Sequence, residues 1–499
     1  MLRITSDRSH ALFDIAATRR LEQSAAAALP AHTLMQRAGL ATARLALALA
    51  PHARTVWVAC GPGNNGGDGL EAAAHLQRWG KQTVVTWLGD EAGAPPDSLA
   101  ALAQARQAGV HFAAEPPAGL APQDLCIDAL LGIGATRAPQ GRMAQWIDAL
   151  RWSAATVLAV DVPSGLNADT GTVATAPVAD SEVSIRATSH FHAQHTLSLL
   201  TLKPGLFTDQ GRDAAGQVWF DDLDVASAGE TPAAMLSAPA ETRARLHATH
   251  KGSYGDVAVI GGAPGMTGAA LLAGSSALHG GAGRVFVALL DPAAPSVDMQ
   301  QPELMLRPVA SLELKSMTVV CGCGGGDAVR RELPRVISTA AHAVLDADAL
   351  NAIAIDTQLQ TLLRARARRA GAQASTVLTP HPLEAARLLG IKAAQVQADR
   401  LGAARQLVER FECVVVLKGS GTVIAAPGQI AAINPTGNAR LATAGTGDVL
   451  AGMVGARLAA GRPAFAAACE AVYQHGLAAD HWPEDRALTA ADLAEAVSR

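Results

Sequence analysis

Aromatic rings are scarce in this chain of 499 residues: 2 tyrosines, 8 phenylalanines and 7 tryptophans make up 3% of it. So few rings exclude stacking platforms for single-stranded nucleic acid. Charge is thin as well. Charged residues are 17% and the formal net charge is −4, which excludes the basic face of a duplex-binding protein, so no nucleic-acid partner is expected. No apolar stretch approaches the ~20 residues of a membrane span, because Gly, Arg, His or Ser interrupts every long Ala/Leu segment, and no membrane partner is expected either. The first residues, MLRITSDRSHALFDIAATRR, lack the apolar centre and small-residue cleavage site of an export signal, which makes the cytoplasm the expected compartment. Cysteines are few: Cys60, Cys126, Cys321, Cys323, Cys413 and Cys469 show no CxxC spacing, which points to buried free thiols rather than disulfides or zinc.

What is abundant is apolar aliphatic residue and glycine. Hydrophobic residues are 49%, and 47 glycines with 26 prolines punctuate the chain as in a folded α/β protein. The length asks for two or more domains. In the first half, TVWVAC (55–60), QTVVTWLG (82–89), DLCIDAL (124–130) and TVLAVDVP (156–163) are short β-branched runs separated by segments of helical length, the pattern of a parallel sheet with helices on both faces. The pattern stops near Asp221, and ASAGETPAAM (226–235) reads as a linker. Strand runs resume with DVAVIGG (256–262), GRVFVALL (283–290), MTVVCGCG (317–324), AVLDADAL (343–350), STVLTPH (375–381), CVVVLKGSG (413–421) and GTVIAAPGQIAAI (421–433). Two different α/β domains are expected, 1–228 and 229–499, with ligands at the carboxyl ends of their strands.

The strongest local signal is GPGNNGGDG, Gly61 to Gly69, between a strand and a helix-like run. Its glycines expose backbone amides that can wrap an anion at a helix N-terminus, and Asn64, Asn65 and Asp68 offer side chains to ribose hydroxyls or a cation. The plainer reading is a tight glycine turn. Asp128 and Asp161 end neighbouring strands, and with Asn65 and Ser164 they offer oxygens to a hard cation, the alternative being that both acids cap helices. In the second half, Gly445-Thr446-Gly447-Asp448 opens a helix-like run and suits an oxyanion with a carboxylate beside it. Lys418-Gly419-Ser420-Gly421-Thr422 suits phosphates, although such turns are common in hairpins. His381, between two prolines, and Asp346, Asp348 and Asn351 stand at further loop boundaries.

GPGNNGGDG, DALLGIG, DVPSGLNADTG and TLKPGL, in this order, resemble the YjeF N-terminal domain family, the NAD(P)H-hydrate epimerases, over about residues 1–225. The resemblance implies a Rossmann-like three-layer domain that interconverts the epimers of hydrated NADH or NADPH at ring carbon 6 with a bound potassium ion. It implies that Asn64, Asn65, Gly66, Gly67, Asp68 and the loop Gly132, Ile133, Gly134, Ala135, Thr136, Arg137, Ala138 bind the dinucleotide, and that Asn65, Asp128 and Ser164 hold potassium. Asp161 would contact the hydrated nicotinamide; epimerisation there needs a proton acceptor, which makes Asp161 the candidate acid–base group and Lys203 a second candidate. Where the family has an acidic residue before TLKPGL, this chain has Gln194, within HFHAQH; His190, His192 and His195 lack a supporting carboxylate and read as a solvated loop rather than a metal site.

HKGSYGDVAVIGG, LDADALN, LTPHPLEAARLLG, LKGSGT and AGTGDVLAG resemble the YjeF C-terminal family, the ADP-dependent NAD(P)H-hydrate dehydratases, over about residues 235–499. The resemblance implies a ribokinase-like α/β domain in which ADP phosphorylates the hydroxyl of the S epimer and phosphate then leaves. ADP is the implied co-substrate, with Mg2+ as a possible companion. Ala269, Gly324, His381 and Asp448 would bind the hydrate, Asp448 as the catalytic carboxylate; Lys418, Gly419, Ser420, Gly421, Thr422 and Gly447 would bind the adenine nucleotide. The family's GPGLG turn is GCGGG here (322–326), and with Cys323 replacing proline a looser turn is expected. Together the two resemblances imply a bifunctional metabolite-repair enzyme, expected as a homo-oligomer. The alternative is a ribokinase-like small-molecule kinase fused to a non-catalytic nucleotide-binding module.

Overall fold

The computed structural model describes residues 1–134, 137–173, 192–227, 229–240, 247–370 and 375–497. The chain divides into two compact units, Met1–Thr5 with His10–Ala234 and Ser6–Ser9 with Met235–Arg499. The masses of β-branched residue in the first unit form a sheet ordered Leu2–Arg3, Gln217–Asp221, His195–Leu199, Thr156–Val160, Leu125–Ala129, Thr55–Cys60, Gln82–Trp87, His111–Phe112. Every pairing is parallel except that of Leu2–Arg3 at the edge. Strand side chains alternate between faces. Val56, Val58 and Cys60 therefore join one core with Leu70, Leu76 and Leu102, while Trp57 and Ala59 join another with Trp146 and Leu150. Helices thus cover both faces, giving the expected three layers. The chain order reverses between Thr55–Cys60 and Leu125–Ala129, and the crevice above such a reversal is where open α/β sheets bind ligands.

In the second unit the strands run Met305–Leu306, Arg284–Leu289, Asp256–Gly261, Thr318–Cys321, His342–Leu345, Thr376–Leu378, Val414–Leu417 in parallel, then Val423–Ala425 and Ala431–Ile433 antiparallel. Val257 and Val259 pack with Ala273, Val449 and Val454 on one face. On the other, helices Leu333–Thr339 and Arg400–Phe411 lie against the sheet. Here the order reverses between Asp256–Gly261 and Thr318–Cys321, the strand that leads into GCGGG.

Two elements correct the sequence reading. HFHAQH is not wholly a loop: His195 opens the strand His195–Leu199, and Gln194 bonds the backbone of Val157 in both directions, its side chain accepting from Val157 N at 2.7 Å. Gln194 therefore sits at the amino end of the sheet, away from the carboxyl-end crevice, and its difference from the family does not touch the site. His190 lies outside the described residues. All six cysteines are free, five of them buried. Among the described residues no helix is long and apolar enough to cross a membrane.

Candidate functional site

The glycine-rich motif is less a loop than a helix start. Helix Asn64–Arg78 begins inside it, directly after Gly63. The reason is close packing: a Cβ at Gly61 would lie 1.8 Å from the Leu130 carbonyl oxygen, at Gly66 2.0 Å from the Gly61 oxygen, and at Gly69 2.6 Å from Ala129 Cβ. Gly63 has nothing within 4 Å. Gly61, Gly66 and Gly69 thus let the helix press onto the central strands while its N-terminal amides face the crevice.

Asp128 is fully buried within its strand. It caps no helix; its carboxylate accepts from Ser164 N at 2.8 Å, Ser164 Oγ at 2.6 Å and Leu130 N at 3.2 Å. Burial pushes it up to about 6 against those hydrogen bonds, and among the described residues no cation pairs with it. The same segment reaches Asn65: Leu131 N donates to Ser164 Oγ at 2.9 Å, and a Cβ at Gly132 would stand 3.3 Å from Asn65 Oδ1. The Asn65 side-chain nitrogen is buried without a partner. A buried carboxylate without a counter-ion, a hydroxyl and an amide gathered about one segment make an oxygen donor set that fits a hard cation.

Asp161 follows the strand Thr156–Val160 in the left-handed region, φ 68, held by its N–H to Leu197 O at 2.7 Å. A non-glycine residue kept there stores strain, which its surroundings must over-determine. Its carboxylate is ion-paired with the completely buried Lys203 ammonium, which also donates to Leu199 O at 2.7 Å. Asp161 and Lys203 open onto a cavity of about 880 Å³, with Asn64, Asn65, Asp68, Gly132, Ile133 and Gly134 in its wall. That volume suits a small-molecule site. Arg137 and Ala138 are not in the wall, Gly66 and Gly67 lie behind it, and Ala135 and Thr136 are outside the described residues. Sequence reasoning missed the other wall, built by helices Ile15–Ala28 and Thr33–Leu49 with Thr18, Arg19, Glu22, His32 and Met35. Their amphipathic spacing was visible; their position was not.

In the second unit, Asp448 lies in the first turn of helix Thr446–Ala459. Single ligand atoms of Cys323, Asp346 and Asp448 all lie within 4.8 Å of one another. Asp448 is pushed up to about 6, first by burial and then by Asp346, against the lowering effects of a Cys323 hydrogen bond and Lys418. Lys418 does not project freely: its Nζ donates to Asp346 Oδ1 at 2.7 Å, and Thr379 Oγ1 donates to the same atom at 2.8 Å. A Cβ at Gly447 would be 3.2 Å from Lys418 Nζ, so the lysine joins the two glycine turns. The Lys418–Thr422 turn is a hairpin, since Val414–Leu417 and Val423–Ala425 pair antiparallel. Buried Arg400, which sequence reasoning missed, fixes it through the carbonyls of Leu417 and Lys418 at 3.2 and 3.1 Å.

His381 caps helix Pro382–Leu389, its Nδ1 accepting from Leu383 N at 3.0 Å while Glu384 returns a bond to His381 N at 2.8 Å. An accepting Nδ1 leaves the ring proton on Nε2, which faces Glu384 Oε1 at 3.3 Å. Burial, together with the charge of Lys418, lowers His381, whereas burial raises Glu384 to about 7. Gly324 and Ala269 are neighbours: a Cβ at Gly324 would stand 2.9 Å from that of Ala269. The GCGGG turn is not loose. Gly262 N bonds Cys323 O at 3.0 Å, Ala263 N bonds Gly324 O at 2.7 Å and Gly326 N bonds Asp348 Oδ2 at 2.8 Å, which hold it without proline.

The family model for NAD(P)H-hydrate dehydratase matches residues 257–499, and that for the YjeF-related protein N-terminus matches residues 31–205. The chain is 37% identical to the bifunctional NAD(P)H-hydrate repair enzyme Nnr of Escherichia coli (strain K12), over 93% of this chain and 88% of that one. It is 34% identical to the protein of that name in Coxiella burnetii, over 95% and 96%. It is 42% identical to the ADP-dependent (S)-NAD(P)H-hydrate dehydratase of Neisseria meningitidis serogroup B, over 53% of this chain and 91% of that one. Among solved structures, the ADP/ATP-dependent NAD(P)H-hydrate dehydratase from Bacillus subtilis, co-crystallized with ATP/Mg2+, matches at 29% identity over 52% of this chain and 92% of that one, TM-score 0.42.

Proposed function

The chain belongs to the family of bifunctional NAD(P)H-hydrate repair enzymes, and on that footing we propose how its residues divide the work. The protein epimerises the R and S forms of hydrated NAD(P)H and dehydrates the S form to NAD(P)H at the expense of ADP. We assign the first activity to residues 1–228 and the second to residues 229–499. The observation that carries the assignment is that each unit sets a carboxylate against a lysine at the carboxyl end of its central strands, Asp161 with buried Lys203 and Asp346 with half-buried Lys418.

In the first unit the amides at the start of helix Asn64–Arg78 take the dinucleotide phosphates, and Asp161 exchanges a proton at the hydrated ring. Asn65, Asp128 and Ser164 would hold potassium, whose fixed positive charge would replace the counter-ion that buried Asp128 lacks. In the second unit Asp448 accepts the proton of the ring hydroxyl as the phosphoryl group of ADP arrives, and the amides of Ala444 to Gly447 steady the charge on that group. Lys418 keeps Gly447 and the Gly419–Thr422 turn beside it, with Ala269, Gly324 and His381 around the ring. A magnesium ion carried by ADP would be held by Asp346, whose Oδ2 has no hydrogen bond among the described residues, and would offset phosphate charge.

Asp448→Asn tests the dehydratase assignment. ADP affinity measured by titration calorimetry is expected to stay within about twofold, while dehydration of the S hydrate falls at least ~10²-fold. Retained turnover would remove Asp448 from this role.

A further inference from the structure

We propose that Glu22, on helix Ile15–Ala28, is the second acid–base group of the epimerase cavity. The proposal rests on the epimerase reading above. A carbon that bears a hydroxyl and a ring nitrogen can be inverted by breaking the C6–O bond and re-forming it on the other face, and along that route each event moves a proton. Asp161 supplies one group for these transfers. The structure places a second carboxyl group on a different wall of the same cavity.

The N-terminal helix is tied to the segment that carries Lys203. Phe13 N bonds Leu202 O at 2.8 Å, Ile15 N bonds Asp169 Oδ1 at 2.8 Å, and the Thr18 and Thr201 hydroxyls meet at 2.7 Å. Glu22 lies one helical turn beyond Thr18 on the same face, and it lines the cavity with Asp161 and Lys203. An ordinary helix-surface glutamate would be solvated or would pair with Arg19 three residues before it. Glu22 is half-buried and makes no hydrogen bond or ion pair among the described residues. The charged groups facing it are Asp161, Lys203, Arg19 and Asp97, with Asp68 and His32 in the same cavity. Burial and Asp161 raise its carboxyl above the usual range, whereas Asp161 is held against an ammonium. Two carboxyl groups whose surroundings differ in this way divide into acid and base.

In the step, Glu22 gives its proton to the C6 hydroxyl, and the C6–O bond breaks with its electron pair leaving as water. The ring-nitrogen lone pair closes the N1–C6 double bond. Water then adds to C6 from the other face, its oxygen pair forming the new bond as the double-bond pair returns to nitrogen, and the released proton passes to Asp161. Exchange with solvent restores both carboxyl groups.

The test uses the full-length protein and the purified R hydrate of NADH, following conversion to the S hydrate. Glu22→Gln is expected to lower that rate at least ~10²-fold with KM little changed, and to remove the alkaline limb that reports loss of the Glu22 proton. Glu22→Asp is expected to keep the limb at an intermediate rate. The same preparation should dehydrate the S hydrate with ADP at the unaltered rate, showing that the second unit is folded, and an unchanged KM for the R hydrate shows that the first is. A Glu22→Gln protein with the normal epimerisation rate and pH profile would overturn the proposal, as would a change confined to KM, or loss of the limb in Asp68→Asn instead. Failure of the unaltered protein to interconvert R and S would sink the epimerase reading itself.

Discussion

One sulfur atom helps set the working range of Asp448. Burial and Asp346 raise that carboxyl to about 6, and its hydrogen bond with Cys323 and the charge of Lys418 restrain the rise. The account needs Asp448 ionised, so kcat/KM for dehydration should climb as pH rises through about 6. Cys323→Ala deletes a lowering contact, so the acidic limb should move upward, by about 0.5–1 pH unit, with rates near pH 8 little changed. A pH-rate profile that superimposes on that of the unaltered protein would contradict this role for the thiol. At this scale the sequence was legible where chemistry is local. Asp161, Asp448 and Lys418 stand beside the glycine turns that announce them. Asp346 was noticed without a role, and the partnership with Lys418 spans 72 residues and Arg400 reaches its turn from 18 residues away. Only folding brings such pairs together.

Elements tell a similar story through their glycines. Gly61 and Gly63 are neighbours in one motif, but only Gly61 is pressed against another backbone. Gly61→Ala should therefore destabilise the first unit by about 1–3 kcal/mol or more and open the wall of the cavity. Gly63→Ala, at a helix cap with open space around it, should cost at most about 1 kcal/mol. Thermal denaturation of the two variants checks the contrast, and equal shifts would refute the close-packing explanation. The central strands were readable because Val, Ile and Leu run unbroken in buried parallel strands. HTLSL and QVWFD were not, because strands His195–Leu199 and Gln217–Asp221 mix polar and apolar residues. The N-terminal helices went unassigned as site elements because no long β-branched run and no glycine turn precedes them, although they form a wall of the cavity.

At the scale of the whole molecule, each unit builds its own parallel sheet with a reversal of strand order, and each sets its carboxylate–lysine pair at the carboxyl ends of strands lying to one side of that reversal. On the proposed reading few aromatic rings are needed, because backbone amides at helix starts would take the phosphates in both sites. The organisation explains why two activities share one chain: the epimerase converts the R hydrate, which the dehydratase does not use, into the S hydrate, which it does. The most direct measurement supplies the protein with a mixture of R and S hydrates of NADH and an excess of ADP, on a timescale where spontaneous epimerisation is slow, and follows the return of NADH absorbance. The whole hydrate pool is expected to recover. Recovery that stops at the S fraction, or none with ADP, would contradict it.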